Sequence, residues 1–433
     1  MKKLISVTLV ALLLTVALLL TVAFFANGAT EAKKADGITT LTWAMWDKDS
    51  TAYYQPLIDA FEAENPDIKI EMLDLGSADY STMLQTQLSG GDDSIDVVTI
   101  KDIPGYNNHV KANLLENLNS YIEKSGVDTG AYNGIPEQIT VNGNLYALPF
   151  RSDFWVIFYN KDLFDAAGVE YPTNDMTFEE YDALARKMTS GVGANKVYGA
   201  HYHTWRSAIQ LFGILDGKHK ITDGGDYSYL KPYYEMVLAE QKDGVCMDYA
   251  SLKTSSTHYS GVFYNNSVAM MNMGSWYIAT LIKQIESGNT EVKNWGIVKY
   301  PHAEGVEPGS TLGTITTLGI SKASKNKDAA WKFVEFVTGE KGANVVASTG
   351  TFPAMSNDAI RETVSSIEGF PTDQNSVDAL ETANVYLEMP LHDKAGEIEV
   401  VLNQAHDEIM TGSTTVDAGL KKMGTEVDKI LAK

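Results

Sequence analysis

The segment from residue 38 to residue 100 alternates between two hydrophobic patterns. Residues 38–46, 68–73 and 95–100 are short runs rich in β-branched or alternating apolar side chains, which is typical of strands. Residues 53–64 and 80–88 carry apolar side chains at helical spacing and end at turn signals. Because strands and helices take turns along the chain, we predict an α/β fold in which helices flank a largely parallel sheet.

The remaining sequence continues this alternation without a flexible linker. Further strands are predicted at residues 145–149, 154–159, 197–201, 267–273, 295–300 and 315–320. Further helices are predicted at residues 177–188, 203–215, 229–241, 277–286, 328–337, 397–410 and 416–431. A length of 433 residues suggests two or three domains. Since no linker separates them, we expect crossing strands to join the lobes. Trp43, Trp295 and Trp331 are predicted core residues.

The N-terminus has the pattern of an export signal. Lys2 and Lys3 precede an apolar run over residues 4–25, and small residues follow it. This pattern predicts a signal peptide over residues 1–29, with cleavage between Ala26 and Ala32. The run is also long enough to cross a bilayer once, so a retained anchor is the alternative. No cysteine lies near the cleavage region, so we expect an exported, periplasmic protein that is not a lipoprotein.

Charge and cysteine content exclude several function classes. The sequence contains 34 Lys and Arg and 56 Asp and Glu, which gives a formal charge of −22. This negative charge disfavours binding to nucleic acid. Cys246 is the one cysteine in the sequence, so disulfide scaffolds and Cys-rich zinc sites are excluded. No nucleophile-elbow, zincin or P-loop motif occurs, and His201-x-His203 is a weak metal spacing. We therefore predict no catalytic residues, no metal and no cofactor.

Several ordered stretches carry a resemblance to a known family. They include LTWAMWD, FEAENPDIKIEM, GGDDSIDVVTI, VNGNLYALPF, VIFYNKDLFDAAG, TFEEY, VAMMNMGSW and LGISKASKNKDAAWKFVEFV. In this order the chain resembles the carbohydrate-binding, maltodextrin-binding-type solute-binding proteins of ABC importers. The resemblance covers residues 38–433. It implies a two-lobed fold of the second periplasmic-binding-protein type, closing by hinge motion around a sugar and docking as a monomer on permease subunits.

The resemblance also implies lobe boundaries and binding residues. Lobe one is expected at residues 37–151 plus 302–352, and lobe two at residues 152–301 plus 353–433. Sugar sites need aromatic platforms and hydroxyl-binding polar groups, and open α/β sheets place ligands at the carboxyl ends of strands. The predicted ligand-binding residues are Trp46, Asp47, Lys48, Asp102, Arg151, Asp153, Tyr202, His203, Trp205 and Trp276.

Each of these residues also has a structural interpretation. Asp47 and Lys48 suit an ordinary solvated loop, and Arg151 with Asp153 suits an ion pair within a hinge. Trp205 suits a core anchor. Trp276 carries the strongest expectation, because it matches an aromatic residue that stacks on sugar in relatives.

The sequence leaves other functions open. A polyamine, a phosphorylated polyol or a metal ion are alternative ligands, and a polysaccharide-processing enzyme is a remote alternative. The sequence does not distinguish a transport receptor from a sensor that signals to a membrane kinase.

Overall fold

A computed structural model describes residues 37–49, 51–76, 80–132, 134–355 and 357–433. The predicted export signal lies outside these residues. The strands are β1 (Thr39–Met45), β2 (Ile68–Asp74), β3 (Val97–Ile100), β4 (Ala147–Asn160), β5 (Tyr198–His201), β6 (Val268–Gly274), β7 (Trp295–Lys299), β8 (Ser310–Ile320) and β9 (Asn384–Leu387). Among the described residues, no helix is long and apolar enough to span a membrane.

The helices surround the sheet. The α-helices are α1 (Tyr54–Glu64), α2 (Tyr80–Ser89), α3 (Ile103–Lys111), α4 (Asn119–Ser125), α5 (Ile135–Ile139), α6 (Lys161–Ala167), α7 (Phe178–Met188), α8 (Ser207–Gln210), α9 (Lys231–Asp243), α10 (Tyr249–Ser255), α11 (Tyr259–Tyr264), α12 (Tyr277–Glu286), α13 (Lys327–Thr338), α14 (Glu340–Ala347), α15 (Asp358–Ser365), α16 (Gln374–Asp378), α17 (Ala395–Met410) and α18 (Val416–Leu431). Short 3₁₀ turns lie at Thr129–Tyr132, Gly193–Asn195, Leu211–Ile214 and Ser228–Leu230.

The sheet has two parallel ends joined by antiparallel strands. Its order is β2-β1-β3-β8-β4-β6-β5, with β7 also paired to β4 and β9 to β8. β1 pairs parallel with β2 and β3, and β5 pairs parallel with β6, which confirms the α/β prediction. β4 and β8 pair antiparallel with each other and with the neighbours that link the two ends. The chain therefore crosses between the two ends along continuous strands.

Strand β4 corrects one prediction. The sequence predicts two strands, at 145–149 and 154–159, because the polar residues Arg151 to Asp153 interrupt the apolar pattern. The structure has a single strand of 14 residues, whose register shifts between Pro149 and Arg151. A β-bulge bends a strand without ending it, and the polar residues lie at this bend.

The helix predicted at residues 203–215 is also shorter than expected. It begins at Ser207 and tightens into the 3₁₀ turn Leu211–Ile214. By contrast, the capping box predicted for α7 is present: the Thr177 hydroxyl accepts from Glu180 N, and the Glu180 carboxylate accepts from Thr177 N.

Apolar cores lie at both ends of the sheet. Trp43 packs edge-on against Tyr54 and Phe333, so helices α1 and α13 cover the β1 end. At the other end, α17 and α18 pack with β4 and α9 in one continuous core. Trp43, Trp295 and Trp331 are all buried, which confirms the core prediction for each.

Glu240 on α9 is a fully buried carboxyl group within this second core. Burial raises the pKa of Glu240 well above the ordinary value of 4.5, and the Asp182 charge raises it further. The nearby Tyr202 hydroxyl opposes the shift only in part. The folded chain therefore holds a proton on Glu240 that the unfolded chain releases above pH 4.5.

We expect Glu240→Gln to flatten the dependence of stability on pH. In the wild type, Glu240 makes the free energy of unfolding fall as the pH rises from 4.5 towards its folded-state pKa, by up to about 1.4 kcal/mol per pH unit. Glutamine stays neutral, so the variant should unfold at higher urea concentration than the wild type at pH 8. Urea titrations at pH 5 to 8 measure this, with Glu235→Gln on the exposed face of α9 as control. Equal pH slopes in wild type and variant would refute the prediction.

Candidate functional site

Polar and aromatic residues follow the carboxyl end of β1. Trp46, Asp47 and Lys48 form a turn in which Asp47 has a φ of +51°. The Asp74 carboxylate, at the end of β2, accepts from Asp47 N at 3.2 Å and from Lys48 N at 2.9 Å. The neighbouring parallel strand thus fixes this turn. The Trp46 ring packs edge-on against Tyr80 with ring centres 4.8 Å apart.

Asp102 lies at the carboxyl end of β3. Its carboxylate caps helix α3 by accepting from Gly105 N at 2.7 Å. Burial raises the pKa of Asp102, Gly105 N and Lys101 oppose the shift, and the Glu399 charge adds to it. Glu399 is on α17, which packs against α3.

Arg151 and Asp153 form a buried ion pair on β4. The Arg151 Nη1 and Asp153 Oδ2 atoms are 3.3 Å apart, and the Arg151 guanidinium lies 5.3 Å from the Tyr53 ring centre. The Ser275 hydroxyl donates to Asp153 at 3.0 Å. Burial raises the pKa of Asp153, while Arg151 and Ser275 oppose the shift. The pair therefore joins Tyr53, beyond the β1 end, to the loop after β6.

The crossing strands carry a polar row, which we call the floor: Arg151, Asp153, Thr314 and Glu388. Asp153 lies directly opposite Thr314 in the β4–β8 ladder, so both side chains share one face of the sheet. The Thr314 hydroxyl donates to Glu388 Oε2 at 2.9 Å. Thr314 is the one residue of β8 that is not buried, so the floor is open to solvent at this position.

Four aromatic side chains, which we call the wall, adjoin the floor: Trp155, Trp205, Tyr259 and Trp276. Trp155 follows Asp153 by two residues, so strand alternation places it on the same face of β4. Its ring centre is 5.5 Å from Trp276 and 6.4 Å from Trp205. Tyr259 lies 5.6 Å from Trp205. Trp205 is 38% exposed, so the wall is partly open to solvent.

The wall depends on one glycine. Gly274 lies opposite Trp155 in the β4–β6 ladder. A Cβ atom at position 274 would lie 1.9 Å from the Trp276 ring. Only glycine therefore allows the Trp276 indole to fold back over the end of β6 and contact Trp155.

Tyr202 and His203, two further predicted ligand-binding residues, are both buried. Tyr202 is buried, and its ring contacts Tyr181 and Phe212 in the core rather than the wall. His203 is also buried and lies edge-on to Trp205 at 4.5 Å, where burial lowers the pKa of His203 to about 4. A neutral His203 supports Trp205 from behind. The structure thus unites Trp205 and Trp276 with Arg151 and Asp153, but not Tyr202.

The structure adds site residues that the sequence analysis missed. Arg206 is buried and forms a two-pronged ion pair with Glu399, with Nε–Oε1 at 2.8 Å and Nη2–Oε2 at 2.5 Å. Burial raises the pKa of Glu388, Arg206 opposes the shift, and Glu399 adds to it. Strand alternation on β4 could have identified Trp155. No local sequence signal identifies Glu388 or Glu399, because they approach the floor from the last 50 residues.

Other features lie apart from the floor and the wall. A depression of about 410 Å³ lies between residues 225–228 and helix α18. None of the residues that line it belongs to the floor or to the wall. Within the described ranges, no three His, Cys, Asp or Glu side chains gather as a metal-binding group.

Comparison with known proteins identifies the family. The model of the bacterial extracellular solute-binding protein family matches residues 47–344, more than half of the chain. The chain belongs to this family. A sugar transporter from Rhizobium etli, solved in an open conformation, is 52% identical, with a TM-score of 0.81 over 90% of this chain and 99% of that one.

Other relatives are more distant, and the solved structure among them shares the fold. A substrate-binding protein from Listeria monocytogenes, solved with cycloalternan, is 24% identical, with a TM-score of 0.77 over 91% of this chain and 99% of that one. The mannitol-binding protein of Pseudomonas aeruginosa is 23% identical over 72% of each chain. The fold and family predictions are confirmed.

Proposed function

We propose that this chain is the extracytoplasmic receptor of an ABC importer and binds a sugar or polyol between its two lobes. The observation that carries the proposal is the wall of aromatic rings beside the buried Asp153 carboxylate. Ring faces stack on the apolar face of a sugar, and carboxylates accept hydrogen bonds from its hydroxyls. The sugar transporter and the mannitol-binding protein among its relatives support this ligand class.

The crossing strands supply the hinge. In the proposed division, residues 37–151 plus 302–352 form lobe one, and residues 152–301 plus 353–433 form lobe two. β4 and β8 then run between the lobes, with Arg151 and Asp153 at the crossing point. A ligand that contacts both lobes stabilises the closed form by its differential contacts, and the permease subunits bind that form.

The remaining parts of the proposal concern activity, assembly and export. The chain acts as a monomeric binding protein rather than an enzyme, and it binds no nucleic acid. It is exported by its N-terminal signal and is not a lipoprotein. A relative from Streptomyces antibioticus is described as a lipoprotein, so mass spectrometry of the exported protein tests this point directly.

A ligand screen tests the proposed function. The protein, purified after export from an expressing host, is heated with glucose, maltose, mannitol, spermidine, glycerol phosphate or divalent metals. A ligand present at about 100 times its Kd stabilises the folded state by about 2.7 kcal/mol. We expect a sugar or polyol to raise the Tm without forming a product. A shift with only spermidine, phosphate or a metal would contradict the carbohydrate proposal and leave the family intact.

Trp276→Ala is expected to weaken binding of the sugar or polyol found in this screen by about tenfold or more, because stacking on the indole face is lost. Calorimetric titration measures the Kd of each variant. Tyr171→Ala, at an exposed aromatic residue outside the wall, is the control and should bind as the wild type does. Unchanged affinity in a folded Trp276→Ala variant would exclude the wall from the binding site.

A further inference from the structure

The surroundings of the floor contain more carboxylates than guanidinium groups. The carboxylates are Asp102, Asp153, Glu388 and Glu399, and the guanidinium groups are Arg151 and Arg206. Arg151 is paired with Asp153, and Arg206 is paired through both prongs with Glu399. Neither arginine is therefore available as a dedicated partner for an anionic ligand. The four carboxylates and two arginines sum to a formal charge of −2, and Lys101, whose charge acts on Asp102, brings the total to −1.

Glu388 is a carboxylate of the floor that accepts a hydrogen bond from a hydroxyl group. Thr314 donates to its Oε2 atom at 2.9 Å. Its pKa is raised by burial and by Glu399, with Arg206 and the hydroxyls of Thr314 and Ser207 in opposition. A carboxylate has about four acceptor sites, so Glu388 retains positions at which ligand hydroxyls can donate. A negatively charged ligand group beside Glu388 would be repelled by its carboxylate, as Glu399 already is.

An unpaired donor provides an independent indication of the ligand's chemistry. Trp155 is 1% exposed, and its Nε1 atom has no acceptor among the described residues. It lies on the same face of β4 as Asp153 and contacts the Trp276 ring. A hydroxyl group can accept from an indole N–H and donate to a carboxylate at the same time. Uncharged hydroxyl groups thus satisfy both kinds of partner in this region.

We propose that Glu388 is a specificity-determining residue, which makes the site select uncharged polyhydroxyl ligands and reject sugar acids and sugar phosphates. The inference rests on the proposed function and names the charge class of its ligand. Like charges brought together at a largely desolvated site cost enough to lower affinity by about 100-fold or more. A cationic ligand gains little. The Arg206 charge already acts on Glu388, Asp153 and Glu399 are paired with arginines, and Asp102 caps helix α3.

The test uses matched neutral, acidic and basic probes. Calorimetry measures the Kd of glucose, glucuronate, glucose 6-phosphate and glucosamine, and of maltose and mannitol alongside spermidine. We expect the neutral probes to bind and the acidic ones to bind at least about 100-fold more weakly. In Glu388→Gln, the Kd of each acidic probe divided by that of its neutral counterpart should fall by about tenfold or more. The amide removes the charge of the side chain and keeps its shape.

Two further variants separate charge from structure. Glu397→Gln, an exposed acid on the same helix as Glu399, should leave the ratio unchanged. Thr314→Val should weaken neutral and acidic probes alike, because it removes a hydroxyl and no charge. Tight binding of an acidic or basic probe by the wild type, or an unchanged ratio in folded Glu388→Gln, would overturn the inference while the receptor function stands. Failure of every neutral probe would instead reject the proposed function.

Discussion

Replacing Asp153 with alanine is expected to lower the free energy of unfolding by about 3–5 kcal/mol and to abolish measurable ligand binding. The carboxylate is buried and lies 3.3 Å from the Arg151 guanidinium. Its removal leaves that positive charge inside the protein without its counter-ion, and the Ser275 hydroxyl loses its acceptor. Urea unfolding at pH 7 gives the stability, and calorimetry with the sugar or polyol found in the screen gives the affinity.

A double variant separates the two effects. Arg151→Met combined with Asp153→Leu removes both charges, so it should be more stable than Asp153→Ala alone, as is found for other buried ion pairs. Binding should remain absent in the double variant, because no carboxylate is left to accept from ligand hydroxyls. If the double variant is less stable than Asp153→Ala, the ion pair is not the origin of the loss. If either variant binds as tightly as the wild type, Asp153 is not a ligand residue.

Local sequence patterns predicted the parts of the fold that local interactions control. The alternation of strands and helices over residues 38–100 appears in the structure as β1, α1, β2, α2 and β3, with bounds that differ by at most two residues. Thr177 and Glu180 predicted the start of α7 because a capping box involves only one turn of helix. Burial of Trp43 followed from the apolar residues around it.

Long-range pairing decided what the sequence could not show. β4 is one strand because β8 pairs along the polar residues Arg151 to Asp153, and β8 begins about 160 residues later. Glu388 reaches the floor because β9 pairs with β8 across a separation of more than 70 residues. Neither pairing leaves a periodic signal in the sequence. The residues of the floor could therefore be brought together only by means of the structure.

Side-chain direction decided which predicted binding residues meet. Residues 202, 203 and 205 all follow β5, and sequence order alone does not distinguish them. Packing against Tyr181 and Phe212 directs Tyr202 into the core, whereas Trp205 remains partly exposed. Trp276 was the strongest sequence-based expectation, and it does lie in the wall, although ligand contact there is still a prediction.

Gly199→Ala is expected to destabilise the protein by about 2–3 kcal/mol or more. Gly199 lies in β5, where a Cβ atom would be 1.7 Å from the Ala185 carbonyl oxygen on α7. That oxygen belongs to the backbone, and it accepts from Thr189 N and from the Thr189 hydroxyl. No side-chain rotation can relieve the overlap, so α7 and β5 must move apart. The shift in the urea midpoint, measured at pH 7, gives the loss of stability.

Gly261→Ala is the matched control, because a Cβ atom at position 261 meets nothing within 4 Å and Gly261 lies in helix α11. We expect it to be neutral or slightly stabilising, since alanine is the better helix former. The loop that carries Trp205 follows β5 directly, so moving this strand away from α7 should also displace Trp205 relative to Trp276. Gly199→Ala should therefore weaken ligand binding even at temperatures at which it is fully folded. Wild-type stability in Gly199→Ala would mean that α7 and β5 are less closely packed than the structure shows, and wild-type affinity in a destabilised variant would mean that the position of Trp205 does not depend on β5.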